Sequence, residues 1–290
     1  MFHRIGIVTR THEPAVELAL QAVLDVLAPR NCEVMVDDQA PMPAQPGHLT
    51  VLPRADLAAD CELLISIGGD GTLLQSAGLI YPRETALLGI NLGRLGFLTD
   101  LQPEDISDGL AAVLDGRFLS EERAVLGCEV TRDGRLVASE DALNDVVVQK
   151  WNSARLITLD TYVDHKFLHS QRSDGLIIAT PTGSTAYALS CGGPILDPCL
   201  GALSIVPICP HTLTNRPIVI SDRSHVEIEV ATDRDAESRV TCDGNPILEL
   251  QPGDRVAVYR RQRSIRLIHP AGHDHFSTLR AKLNWGQDPC

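Results

Sequence analysis

Residues 63–77, LLISIGGDGTLLQSA, constrain the fold more than any other stretch. The unbroken apolar run LLISI reads as a strand buried on both faces, the habit of parallel sheets rather than of half-wetted antiparallel ones. Glycines 68, 69 and 71 then interrupt the run around a single acid, Asp70, and GTLLQSAGLI reads as the following helix. Strand, glycine turn and helix in that order put residues 68–72 at a carboxyl edge of an open α/β sheet, where such sheets bind ligands. Glycines let backbone N–H groups approach an anion closely, and the start of a helix adds positive partial charge. A carboxylate in such a place needs a reason.

The flanking sequence fits the same architecture. RIGIVT, CEVMVD, CELLISI and TALLGIN read as strands. EPAVELALQAVLDVLAPR carries Val16, Leu20, Val23, Leu24 and Leu27 at helical spacing, with Pro14 suited to its first turn and Pro29 to its end. APMPAQPGH is too rich in proline for regular structure and reads as a surface loop, whereas PEDISDGLAAVLDG reads as one more amphipathic helix. Beyond about residue 118 the rhythm changes to short β-rich runs: LGCEVTR, RLVASE, ALNDVVVQK, RLITLDTYV, GLIIAT, SHVEIEVA, ESRVTCD and DRVAVYR. In HVEIEVA strict alternation marks a half-buried antiparallel strand. The tail HFSTLRAKLNWG turns helical again. The expected fold is therefore α/β plus β. A Rossmann-like domain with a parallel sheet (1–118) precedes a mostly antiparallel β domain (119–268), and a C-terminal segment (269–290) packs back on the first.

Composition narrows the function. A net charge of −13 argues against a generic nucleic-acid binder, whose affinity rests on neutralising phosphates. No apolar run approaches the roughly 20 residues that span a bilayer, and MFHRIGIVTR lacks the long apolar stretch of a secretory signal. Eight cysteines without a CxxC pair indicate reduced thiols and a cytoplasmic protein. Neither cysteines nor histidines show zinc-ligand spacing, and the pair His273 and His275 reads as a polar loop.

The chemistry-bearing stretches each admit two readings. GGDGTLL lacks the Lys-Ser or Lys-Thr of a Walker loop and is not GxGxxG. Asp70 either caps the next helix, a contribution of about 1 kcal/mol, or accepts a hydroxyl proton beside a phosphate during phosphoryl transfer. Phosphate nearby would raise its pKa and make it a better acceptor. In ALNDVVV, Asn144 and Asp145 form either a turn or an acceptor pair for vicinal hydroxyls. TPTGSTAYALS is either a capped loop or a helix start at residues 184–190 whose free N–H groups face a ligand, with Tyr187 offering a flat face to a ring. Arg155 and Arg172 are candidates to offset phosphate charge, or solvated surface arginines.

GGDGT resembles the signature shared by NAD kinases and by the related diacylglycerol, sphingosine and phosphofructokinase-type kinases. NLGRLGFL (91–98), ALNDVVV (142–148), SDGLIIATPTGSTAYALSCGGPI (173–195), PICPHTLTNRPIV (207–219), DGN (243–245) and IHPAGHDHFSTLRAKLNWG extend the likeness to bacterial NAD kinases over essentially the whole chain. The resemblance implies ATP-dependent phosphorylation of the 2′-hydroxyl of the adenosine ribose of NAD, giving NADP and ADP. It makes Asp70 the base and Gly71 a contact beside it. Asn144, Asp145, Arg155, Arg172, Asp174, Thr182, Thr185, Ala186, Tyr187, Ala188, Leu189 and Ser190 become nucleotide-binding, with Arg94 and Arg216 as weaker, structural candidates. Asp145 stands where the family more often has Glu. Asn245 stands where it usually has Gln, one methylene longer. His211 is expected to be a buried, hydrogen-bonded histidine. A divalent cation, Mg2+, is expected to accompany ATP with no protein ligand named, and a homodimer or homotetramer is implied. The alternatives are a lipid kinase sharing GGDGT and a non-catalytic NAD(P) sensor.

Overall fold

A computed structural model describes residues 2–10, 13–41, 49–93, 96–152, 154–231 and 237–285. The chain divides into two units, Met1–Glu122 with Ile265–Cys290, and Arg123–Ser264.

The first unit is built on a seven-stranded sheet. Its order is Leu49–Leu52, Glu33–Asp37, Arg4–Thr9, Leu63–Gly68, Ala86–Asn91, Ile265–Pro270 and Phe118–Arg123. The first six pair in parallel. Every residue of Leu63–Gly68 and of Ala86–Asn91 is buried, which is why these strands read as continuous apolar runs without alternation. Helix Pro14–Leu27 starts on its proline and buries the apolar stripe Val16, Leu20, Val23, Leu24 and Leu27. With helix Ile106–Leu114 it covers one face of the sheet in a single core.

Three strands depart from expectation. Leu49–Leu52 adds a strand at the sheet edge, half-exposed and too short to show a pattern beside a proline-rich segment whose residues 42–48 lie outside the described residues. Phe118–Arg123 and Ile265–Pro270 both join this sheet, so the chain returns as a strand from Ile265 before the helix His275–Leu283 begins. In sequence RLIHP looks like one more β run of the second half, because its partner Ala86–Asn91 lies far away along the chain.

The second unit holds two six-stranded sheets with antiparallel pairings. One runs Lys166–Ser173, Ile157–Val163, Val226–Val230, Arg255–Arg260, Leu126–Arg132 and Arg135–Ala142. The other runs Ile218–Ser221, Ala202–Ile208, Gly175–Ala179, Asp145–Lys150, Ser238–Cys242 and Asn245–Leu250. Val146 and Val148 point into the core shared by the two sheets. Val147 points the other way, into a small cluster with Ile177, Ala179, Val206, Ile208 and Ala188. The segment around Ala188 thus lies on the outer face of its sheet, which explains why VVV and GLIIA are apolar at every position.

Candidate nucleotide site

Asp70 is the first residue of helix Asp70–Ile80, with Gly69 at the N-cap. Among the described residues its carboxylate bonds to the segment 97–99 rather than to that helix. Oδ2 accepts from the Phe97 amide at 2.8 Å, and Oδ1 accepts from the Leu98 amide at 3.1 Å and from Thr99 Oγ1 at 3.2 Å. The acid therefore organises the loop that begins NLGRLGFL, which excludes the simple helix-cap reading. That loop sits so close that a Cβ on Gly96 would lie 2.1 Å from Asp70 Oδ1. Gly68 is equally constrained, since a Cβ there would meet the Thr72 side chain. Gly71 differs: it is exposed, and a Cβ on it would meet nothing within 4 Å. Among the described residues nothing requires a glycine at 71. Arg94 lies outside the described residues.

In the second unit the Asn144–Asp145 turn is held from three sides. Asp243 accepts from the amides of Leu143 at 2.8 Å, Asn144 at 2.7 Å and Asp145 at 3.2 Å. The Thr180 hydroxyl donates to the Leu143 carbonyl at 2.6 Å and receives the Gly183 amide at 3.1 Å. A Cβ on Gly183 would fall 2.1 Å from the Asn144 carbonyl oxygen, so only glycine lets TPTGS pack against this turn. The result is a firmly held backbone turn that carries two buried polar side chains. Asn144 Oδ1 is buried without a hydrogen-bond partner among the described residues, which normally demands a ligand or water. Asp145 is buried, and burial together with the charge of Asp243 pushes its pKa up to about 7. Burial also raises Asp243, against the lowering effect of its three amide donors.

The neighbouring candidates divide. Asp174 pairs with Lys150 at 2.6 Å. Thr182 is buried and meets Arg123 Nη1 at 3.4 Å. Ser184 is wholly structural, its hydroxyl donating to the Pro181 carbonyl at 2.6 Å and accepting from the Leu196 amide at 3.0 Å. The expected helix over 184–190 is two fragments, a 3-10 turn Gly183–Thr185 and the single turn Tyr187–Ser190. Thr185 Oγ1 donates to the Thr182 carbonyl at 3.2 Å, and Ala186 is half-buried between the fragments. Tyr187 and Ser190 are exposed and Leu189 half-buried, so these side chains are open to a ligand. Ala188 is not: its methyl is fully buried in the cluster beneath. Burial above all, with the nearby acids Asp174 and Asp145 adding to it, raises the Tyr187 phenol.

Arg155, Arg172 and Asn245 are exposed. Arg216 is structural, donating to the carbonyls of Leu213 and Asn215. His211 is exposed rather than buried, and its amide donates to the Arg172 carbonyl at 2.9 Å. The sequence reading overlooked Asp243, Thr180 and Lys150. Asp243 stood in plain sight in DGN, but its partners lie about a hundred residues away.

A glycine-flanked acid at the carboxyl edge of a parallel sheet, in a chain that also carries two antiparallel sheets, is the arrangement expected of the kinases that share GGDGT. The ATP-NAD kinase N-terminal domain matches residues 5–118 and the ATP-NAD kinase C-terminal domain matches residues 143–270. The chain is 45% identical to the NAD kinase of Nitrosococcus oceani over 99% of its own length and 98% of that protein. It is 44% identical to that of Chromohalobacter salexigens over 98% and 97%. Among solved structures it resembles yeast NADH kinase complexed with NADH, with a TM-score of 0.90, 25% identity and coverage of 99% and 89%. It also shares the fold of an Archaeoglobus fulgidus NAD kinase in complex with ATP, with a TM-score of 0.77, 24% identity and coverage of 96% and 99%. The chain belongs to the ATP-NAD kinase family.

Proposed function

We propose that the chain transfers the γ-phosphoryl group of ATP to the 2′-oxygen of the adenosine ribose of NAD, with Asp70 as the base. The observation that carries this reading is the state of the Asp70 carboxylate. An ionised carboxylate has about four acceptor positions. The loop occupies three, two on Oδ1 and one on Oδ2. Oδ2 retains one for a ligand hydroxyl, and the next residue, Gly71, is exposed. A hydroxyl proton accepted there leaves the 2′-oxygen to bond with the γ-phosphorus as the bond to ADP breaks. Position and electrostatics supply most of what phosphoryl transfer requires.

Asn144 and Asp145 bind ribose hydroxyls, consistent with the orphaned Asn144 Oδ1. Gly71, Asp174, Thr182, Thr185, Ala186, Tyr187, Leu189 and Ser190 bind the dinucleotide, with Ala188 contributing only its backbone, and Arg155 and Arg172 meet phosphate. Asn245 has the least support. The yeast neighbour is a complex with NADH and the matching family is that of ATP-NAD kinases, which supports these two ligand classes. Mg2+ fits as a cation brought by the triphosphate and its water. Among the described residues the one cluster of three candidate ligand side chains is Asp100, His269 and His273, whose imidazoles do not suit so hard an ion. When bound, it would neutralise phosphate charge. A cytoplasmic location and a homodimer or homotetramer complete the proposal. Among the described residues no helix is long and apolar enough to cross a membrane.

Incubation of the purified protein and Mg-ATP with NAD or with diacylglycerol tests the reading. NADP formation is expected. Phosphorylation of the lipid alone would reject it, and tight NAD binding without turnover would favour the sensor.

A further inference from the structure

The loop that grips Asp70 is itself gripped. Immediately after Thr99, whose hydroxyl bonds Asp70, stands Asp100, and its two carboxylate oxygens face two different imidazoles. His269 Nδ1 meets Oδ2, and His273 Nδ1 meets Oδ1 at 3.0 Å. The rings stack with centroids 4.1 Å apart. On its far side His269 Nε2 faces Glu121 at 3.5 Å. His269 comes from the returning strand, His273 from the turn after it, and Glu121 from the adjacent strand Phe118–Arg123. His269 and His273 are almost wholly buried, at 1% and 7% side-chain exposure. A metal here would have to displace these pairings, because both Nδ1 atoms are taken up by the Asp100 oxygens. The arrangement is that of a carboxylate fork holding two imidazoles.

We infer that His269 and His273, by clamping Asp100, are positioning residues that fix the 97–99 loop and so aim the Asp70 carboxylate. This rests on Asp70 being the base. Of the two partners of His269, both are acids, so the clamp is tightest with that imidazole protonated. Burial disfavours the charged ring, but the hydrogen bonds and charges of Asp100 and Glu121 outweigh it, leaving the His269 pKa raised. Asp100 shows the counterpart: burial raises it, the two imidazoles together lower it by more, and it settles at about 2. As pH rises through the His269 pKa the clamp loses its charge, the loop loosens and turnover falls. A displacement of a catalytic group by about 1 Å can cost on the order of 100-fold in rate.

The test compares wild type with Glu121→Gln and His273→Gln in steady-state assays from pH 6 to 9.5, beside thermal unfolding. Glu121→Gln leaves the fork intact but removes one acid from His269. It should move the alkaline limb of kcat to lower pH while the KM values for NAD and ATP stay within about twofold. His273→Gln should lower kcat by about 10-fold or more, again with little change in KM. An unmoved limb in Glu121→Gln with full kcat in His273→Gln would overturn the inference. A parallel loss of kcat and thermal stability in His273→Gln, with the limb unmoved in Glu121→Gln, would also overturn it, as the signature of a merely structural contact. Asp70→Asn serves as the separate control: full turnover there would reject the base itself, whereas a dead Asp70→Asn with an indifferent Glu121→Gln and His273→Gln would reject only the clamp.

Discussion

Asp145→Asn isolates the electrostatics of the proposed ribose-binding turn. In the folded protein Asp145 is buried beside Asp243, and its pKa is raised from an ordinary value of 3.8 to about 7. A raised carboxylate means that the folded state holds a proton the unfolded chain has already released. Its linkage term is therefore flat below about pH 4, costs stability as pH rises between the two values, and is flat again above about pH 7. Three units at about 1.4 kcal/mol each make the total cost about 4 kcal/mol. The Asn side chain does not titrate. Its stability advantage over wild type should grow by about 3 kcal/mol between pH 5 and pH 8, because roughly two of those units lie in that interval. For a protein of this size each kcal/mol moves Tm by about 2–4 °C. Thermal unfolding by circular dichroism at pH 5, 6, 7 and 8 should show the two Tm values diverging by about 6–12 °C, with the variant higher at alkaline pH. A constant gap would refute the coupling between Asp145, its burial and Asp243.

Other substitutions separate scaffold from site. Gly183→Ala should destabilise by about 2 kcal/mol or more, seen as a lower urea midpoint, because its methyl would meet the Asn144 carbonyl. Asp243→Asn removes an acceptor shared by three turn amides and should cost about 2 kcal/mol in chemical unfolding and raise the KM for NAD; unchanged stability would show the turn holds itself. Gly71→Ala would meet no atom of the described residues within 4 Å, so its Tm should stay within about 2 °C while turnover or KM worsens. Full activity there would remove Gly71 from the site.

The parallel sheet was legible in the sequence because strands buried on both faces, such as Leu63–Gly68, leave an apolar run that glycine then ends. Helix Pro14–Leu27 was legible from its stripe and its prolines. Leu49–Leu52 was not, being a four-residue edge strand with no face to hide. Nor was the return of Ile265–Pro270 to the first sheet, since pairing across so much chain leaves no local mark. The same limit applies to the site. GGDGT marks Asp70 as chemically odd, yet the reason it stays fixed lies 27 to 29 residues onward in two amides and a hydroxyl. His273 read as a polar loop because its partner Asp100 is remote in sequence. Motifs expose the groups that act; the groups that aim them are assembled by the fold.

The central claim is that Asp70, held by the 97–99 loop, takes the proton of the ribose hydroxyl. Single-turnover transfer of labelled γ-phosphate from ATP to NAD, by wild type and Asp70→Asn at saturating substrates, tests it most directly. The expected result is a loss on the order of 100-fold or more in the transfer rate, with both nucleotides still bound. Transfer at the wild-type rate by the Asn variant would contradict it and leave Asp70 as an anchor for the loop alone.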